Sequence, residues 1–157
     1  MPPRPGRQKI APSDPRRRAA MPGAEPGWRG RACDLSGVHV LVVDDDLDAR
    51  TMLRQVLAHL GASVSAEGSA ESALASLRDA RPHLIITDLA MPGRGGCWLI
   101  QQVRARPGGN AIPIIAVTAY GAEYPAQQVR EVGGDAFLRK PIDIDMLAAV
   151  VARFSGR

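Results

Sequence analysis

Val38-His39-Val40-Leu41-Val42-Val43 is aliphatic at every position but one, and it stops on three carboxylates, Asp44-Asp45-Asp46. A strand with one face in water alternates apolar and polar residues. A near-continuous apolar run is instead covered on both faces, the condition of a strand inside a parallel sheet flanked by helices. Two further runs end in the same abrupt way: Leu84-Ile85-Ile86-Thr87 meets Asp88, and Phe137-Leu138-Arg139 meets Lys140-Pro141. Working outward, the pattern predicts five strands near 38–43, 62–66, 83–87, 112–117 and 135–139, alternating with helices near 47–60, 69–80, 96–106, 121–132 and 142–154. Alternation of this kind is the signature of βα units on a parallel sheet.

The helices carry apolar stripes at the spacing that puts them on one face. In the first these are Ala49, Met52, Leu53, Val56, Leu57 and Leu60, and Gly61 is placed to stop it. The second repeats the device with Ala70, Ala73, Leu74 and Leu77, and the last with Leu147, Val150, Val151 and Phe154. Helix four has only Val129 and Val132 as sizeable anchors beyond Tyr124, with Pro125 near its start, so it is expected to be the loosest element.

A chain of 157 residues, 45% hydrophobic and 23% charged, can bury one core of ordinary size. No stretch reaches the roughly 18 consecutive apolar residues of a membrane span, and the N-terminus lacks the apolar segment of a signal peptide, so a cytoplasmic protein is expected. The net charge of +4 divides unevenly: residues 1–35 hold eight Lys/Arg against three Asp/Glu, and residues 36–157 hold twelve against thirteen. The basicity therefore belongs to the tail, which also holds seven of the thirteen prolines. Residues 1–35 read as a disordered basic Pro/Arg-rich tail and residues 36–157 as the folded domain. The Arg16-Arg17-Arg18 run has no aromatic residues beside it to stack on bases, which favours a solvated linker over a nucleic-acid arm. Cys33 and Cys97 show neither metal-ligand nor redox spacing and read as unpaired thiols. His39, His59 and His83 do not cluster and read as structural or exposed.

In an open parallel sheet, ligands bind beyond the carboxyl ends of the strands. Those ends present Asp44 and Asp45, then Asp88, Thr118 and Lys140. Carboxylates brought this close repel one another unless a cation neutralises them. Oxygen donors without His or Cys select a hard ion such as Mg²⁺. Lys140 is the only lysine after Lys9, in a domain that otherwise writes Arg, which marks a position needing a compact ammonium rather than a planar fork. A fixed ammonium and a hydroxyl beside a metal and a spare carboxylate suit a phosphoryl group held on that carboxylate, which makes Asp88 the nucleophile. Asp46 and Asp48 read as helix caps and dipole partners rather than ligands.

These residues are also where the chain resembles the receiver domain of two-component response regulators. The likeness runs from about Val38 to Phe154 and rests on Leu41-Val42-Val43-Asp44-Asp45-Asp46, Ile86-Thr87-Asp88-Leu89-Ala90-Met91-Pro92-Gly93, Ala116-Val117-Thr118-Ala119 and Phe137-Leu138-Arg139-Lys140-Pro141. The resemblance implies an α/β fold, a flavodoxin-like (βα)5 doubly wound sandwich with a parallel five-stranded sheet in the order 2-1-3-4-5. It implies that Asp88 accepts a phosphoryl group from a histidine kinase or histidine phosphotransfer protein. Mg²⁺ would be held by Asp45, Asp88 and the backbone carbonyl of Ala90, with Asp44 acting through water. Lys140 would pair with the phosphoryl group, and its peptide bond to Pro141 would be cis. Thr118 would hydrogen-bond the phosphate, with Ala119 allowing close approach, and Phe137 would swing inward. That motion would alter the face made by helix four, strand five and helix five, where a downstream protein target or a second copy of the chain would bind.

The chain departs from the family pattern in two places. Gly95-Gly96, preceded by Arg94, stands where the family often writes Asp-Gly, and a more mobile loop is expected there. Ala90 and Tyr120 lie two residues beyond Asp88 and Thr118, where side chains tune hydrolysis in the family. Ala90 offers no polar group to position water and Tyr120 could shield the phosphate, so a slowly decaying phosphoryl-Asp88 is expected. The chain ends about three residues after the last helix, so no output or DNA-binding domain is expected on it, and an origin as the detached C-terminal part of a hybrid kinase fits the tail. Two rivals remain: a Mg²⁺-dependent phosphohydrolase acting on small molecules, which lacks a Gly-rich phosphate cradle after strand one, and a receiver-shaped module that works unphosphorylated.

Overall fold

The computed structural model describes residues 34–119 and 126–156. The tail of residues 1–33, Cys33 and the positions Tyr120, Tyr124 and Pro125 lie outside the described residues, and so do the expectations placed on them. Five strands, β1 (His39–Val43), β2 (Ser63–Glu67), β3 (Leu84–Asp88), β4 (Ile114–Thr118) and β5 (Ala136–Arg139), form one parallel sheet in the order β2-β1-β3-β4-β5. The helices are α1 (Leu47–His59), α2 (Ala70–Ser76), α3 (Gly96–Ala105), α4 (Ala126–Val132) and α5 (Ile144–Phe154), with a 3-10 turn at Gly109–Ala111.

The two-residue period of the strands divides the core. Val40 and Val42 of β1, with Ile86, Val117 and Leu138, face Leu53 and Leu57 of α1 and Leu147, Val150 and Val151 of α5. Leu41 and Val43, with Ile85, Ile114 and Ala116, face Ala70 and Ala73 of α2, Leu99, Ile100 and Val103 of α3, and Val129 of α4. Every residue of β3 and β4 is buried, because helices cover both faces of the central strands. Each large aliphatic side chain removed from water in this way contributes about 1.5–3 kcal/mol before entropy is set against it.

Local signals fix the element ends. The Asp46 side chain caps α1 by accepting from the Asp48 N–H at 3.2 Å, so Asp46 is a cap, as its sequence context predicts. Beyond the Leu60 C-cap, Gly61 takes φ +103°, a left-handed turn that glycine makes without strain. Leu35 is fully buried and donates its N–H to Leu60 O at 2.8 Å, so the fold takes in a residue that the boundary drawn at Ser36 leaves in the tail. Helix α2 ends at Ser76 rather than at residue 80. There Ser76 Oγ donates back to Ala73 O at 2.7 Å, the N–H groups of Leu77, Arg78 and Asp79 bond three residues back, and Pro82 forbids a helical Arg81.

The far end of the sheet is held by a buried ionic knot with no counterpart in the sequence reading. Arg104 donates to Gly109 O and Ile112 O at 2.6 Å each, to Gly133 O at 2.8 and 3.0 Å, and to Asp135 Oδ2 at 2.9 Å. Asp135 Oδ2 also accepts from the Ile114 N–H at 2.9 Å. One guanidinium thus ties the end of α3, the entry to β4 and the turn before β5.

Candidate functional site

Parallel register brings the strand ends to one edge. Val43 pairs with Thr87, Asp88 with Val117, and Thr118 with Arg139, so the residues that close β1, β3, β4 and β5 share a rim. Asp44, Asp45 and Asp88 each offer a carboxylate oxygen there, and these oxygens lie within 4.8 Å of one another. Lys140 Nζ donates to Asp44 Oδ2 at 2.9 Å and to Asp88 Oδ2 at 3.4 Å. Two carboxylates that lie 96 and 52 positions before the lysine in sequence therefore share its ammonium.

The three carboxylates are not equivalent. Asp44 is 2% exposed, with Oδ1 accepting from the Asp46 N–H at 2.9 Å and Oδ2 held by Lys140. Asp45 projects into solvent. Asp88 is 7% exposed, and its Oδ1 accepts from the Ala90 N–H at 3.2 Å. Burial, and then the charge of Asp44, push the Asp88 carboxyl above its ordinary 3.8, against the pull of Lys140 and the Ala90 N–H. A more basic carboxylate is a better nucleophile once ionised. Burial drags the Lys140 ammonium down, but the Asp44 hydrogen bond and the charges of Asp88 and Asp44 outweigh it and hold the group above 10.5. The site therefore keeps a permanent cation at neutral pH. Three oxygen donors with no nitrogen or sulfur ligand among them fit a hard divalent ion such as Mg²⁺.

Thr118 ends β4 at 1% exposure, and its Oγ1 has no hydrogen-bond partner among the described residues. Its carbonyl accepts the Lys140 N–H at 2.7 Å, which locks the end of β5 to the end of β4, and the Lys140-Pro141 bond is cis. Phe137 is half-buried on β5, with the Arg139 guanidinium 5.5 Å from its ring centroid. The exposed Ala90 side chain carries no polar atom.

Two features were not legible in the sequence. Arg50 Nη1 donates to the Asp44 carbonyl at 2.7 Å, and Gly68 leaves room for it, since a Cβ there would sit 2.8 Å from that nitrogen. The Gly95-Gly96 pair, read as a mobile loop, is closely packed. A Cβ on Gly96 would stand 2.2 Å from Asp88 O, and one on Gly95 would stand 2.7 Å from Leu89 O. The glycines let α3 begin directly against the strand that carries Asp88. Arg94 beside them lies over the Trp98 ring at 4.7 Å.

Residues 40–152 match the family model of the response regulator receiver domain. A 14.6 kDa protein of Leptolyngbya boryana is 39% identical over 120 residues, covering 76% of this chain and 92% of that protein. The DNA-binding transcriptional regulator NtrC of Azospirillum brasilense is 37% identical over 120 residues, but the match spans only 24% of that protein. Among solved structures, the chemotaxis protein CheY4 of Vibrio cholerae superposes with a TM-score of 0.70 at 29% identity, covering 74% of this chain and 98% of that one. With the family's fold, strand order and sequence pattern all present, the chain belongs to the response regulator receiver domains.

Proposed function

We propose that this receiver is a phosphorylation switch in which Asp88 takes a phosphoryl group from the phosphohistidine of a histidine kinase or histidine phosphotransfer protein. The observation that carries this reading is the Lys140 ammonium shared between the Asp44 and Asp88 carboxylates, with an Asp45 oxygen within 4.8 Å of theirs. An Asp88 carboxylate oxygen attacks phosphorus, the P–O bond forms as the P–N bond breaks, and the electron pair leaves on the imidazole nitrogen, which takes up a proton. Lys140 would offset charge on the phosphoryl oxygens. Asp45, Asp88 and the Ala90 carbonyl would hold Mg²⁺, whose contribution is to neutralise the same oxygens. Asp44, which takes the shorter of the two Lys140 hydrogen bonds, would act on the ion through water.

The Thr118 hydroxyl, without a partner among the described residues, would then donate to the phosphoryl group, and the half-buried Phe137 would move inward beside it. That change would remodel the α4-β5-α5 face for a downstream protein target or for a second copy of the chain. The protein would act as a signalling module in the cytoplasm, with the residues ahead of Leu35 as a linker, rather than as an enzyme with turnover. Among the described residues, no helix is long and apolar enough to cross a membrane. Acetyl phosphate with Mg²⁺, followed by mass mapping, is expected to label Asp88 in the wild type and nothing in Asp88→Asn. Steady hydrolysis of phosphate esters without a labelled aspartate would replace this reading with that of a phosphohydrolase.

A further inference from the structure

At the end of the sheet opposite Asp88, the turn after α2, the loop entering β3, the end of α3 and the 3-10 turn line an open cavity of about 310 Å³. Its lining includes the aliphatic side chains of Leu77, Val103 and Ile112, the last two buried. Its rim carries Arg78, Arg81 and Arg106 against a single carboxylate, Asp79. Three guanidiniums around one apolar hollow are a local excess in a region, residues 36–157, whose charge sums to −1.

Two of the three are already held in place. Arg81 donates to Gly108 O, and Arg106 Nη1 donates to Leu74 O at 3.1 Å. A guanidinium has five N–H donors, so each keeps donors for another acceptor while its side-chain entropy is already spent. Arg78 is exposed, and its guanidinium has no hydrogen-bond or ion-pair partner among the described residues. The lining offers no aromatic ring for a nucleobase to stack on. An apolar hollow with cations at its edge instead suits one hydrophobic side chain flanked by carboxylates.

We propose that this cavity docks an acidic segment of a partner protein, with an aliphatic or aromatic side chain against the aliphatic lining and Asp or Glu residues on Arg78, Arg81 and Arg106. Helix α3 separates the two ends of the molecule: Gly96 touches Asp88, and Arg106 follows Ala105, the last helical residue. At 1.5 Å per residue that helix spans about 15 Å, so a segment held here leaves the Asp88 edge open to a phosphoryl donor. Docking is therefore independent of the chemistry at Asp88.

The test titrates the ¹⁵N-labelled full chain with a short acidic peptide carrying a central Leu-Phe pair, and with the same peptide bearing Lys in place of Asp and Glu. The expected result is saturable amide shifts confined to residues 77–81 and 103–112 with the acidic peptide alone. Affinity should fall about tenfold or more in Arg78→Glu and stay unchanged in Asp88→Asn. The exposed Arg78 side chain holds no other element in place, so Arg78→Glu should melt like the wild type. No shifts at these residues, equal shifts with the Lys peptide, or undiminished binding to Arg78→Glu would overturn the proposal. Matching shifts from inorganic phosphate or AMP at the same concentration would also overturn it, in favour of a small-anion site.

Discussion

Asp88 is a carboxylate that the fold would rather keep neutral, and this gives it an unusual pH signature. Its pKa in the folded protein lies above the 3.8 of an unstructured aspartate. Between those two values the native state holds a proton that the unfolded chain has released, so this residue's contribution to stability falls as pH rises through the window. Asp88→Asn removes the effect. In thermal melts with EDTA, the Tm of Asp88→Asn minus that of the wild type should increase from pH 4 upward and level off once Asp88 is ionised; a constant or shrinking difference would refute the assignment. Lys140 shifts in the same direction but in a different window: its folded value lies above 10.5, so its contribution is complete at neutral pH and is lost only as pH climbs beyond that value. Lys140 was visible in the sequence because arginine fills nearly every other basic position of the domain. Arg50 was not, since an arginine in the first turn of an amphipathic helix looks like a solvated residue until its reach to the Asp44 carbonyl is seen.

At the level of elements, the parallel strands were legible because burial on both faces writes a continuous apolar run, and α1 and α5 because each repeats a clear stripe. What the sequence concealed was contact between distant segments. Arg104 meets Asp135 across 31 positions with no local motif to announce it. Arg104→Met should cost about 3–5 kcal/mol, because it takes the guanidinium cation away from a fully buried carboxylate and removes a donor from several carbonyls. Urea unfolding would measure the loss, and a change under about 1 kcal/mol would show that water replaces the guanidinium. Arg104→Lys should recover little, since an ammonium cannot span acceptors on three segments. Likewise Gly95-Gly96 suggested slack from composition alone, whereas a Cβ at Gly96 would collide with the Asp88 carbonyl.

For the whole molecule, the fold and the gathering of Asp44, Asp45, Asp88 and Lys140 at one edge were legible, because topology alone carries strand ends to the same rim. The arginine-lined cavity was not, since its parts come from loops whose approach no periodicity encodes. The lifetime of the phosphorylated state is also a property of the assembled site. With only a methyl group at Ala90, no side chain there orders an attacking water. Phosphoryl-Asp88 in the purified protein should persist for minutes or longer, and Ala90→Glu should shorten its life several-fold. Decay within seconds in the wild type would contradict this.

Among the described residues the Thr118 hydroxyl has no mate, which sets a cost on the resting state. A polar atom sealed from water without a mate costs about 1–3 kcal/mol, and the penalty disappears only when an acceptor arrives. Thr118→Val, of nearly the same shape, should therefore leave the unmodified protein as stable as the wild type or more so, while blunting every conformational response to beryllium fluoride. On this view the unmodified receiver is a loaded spring, and robustness at rest has been traded for responsiveness.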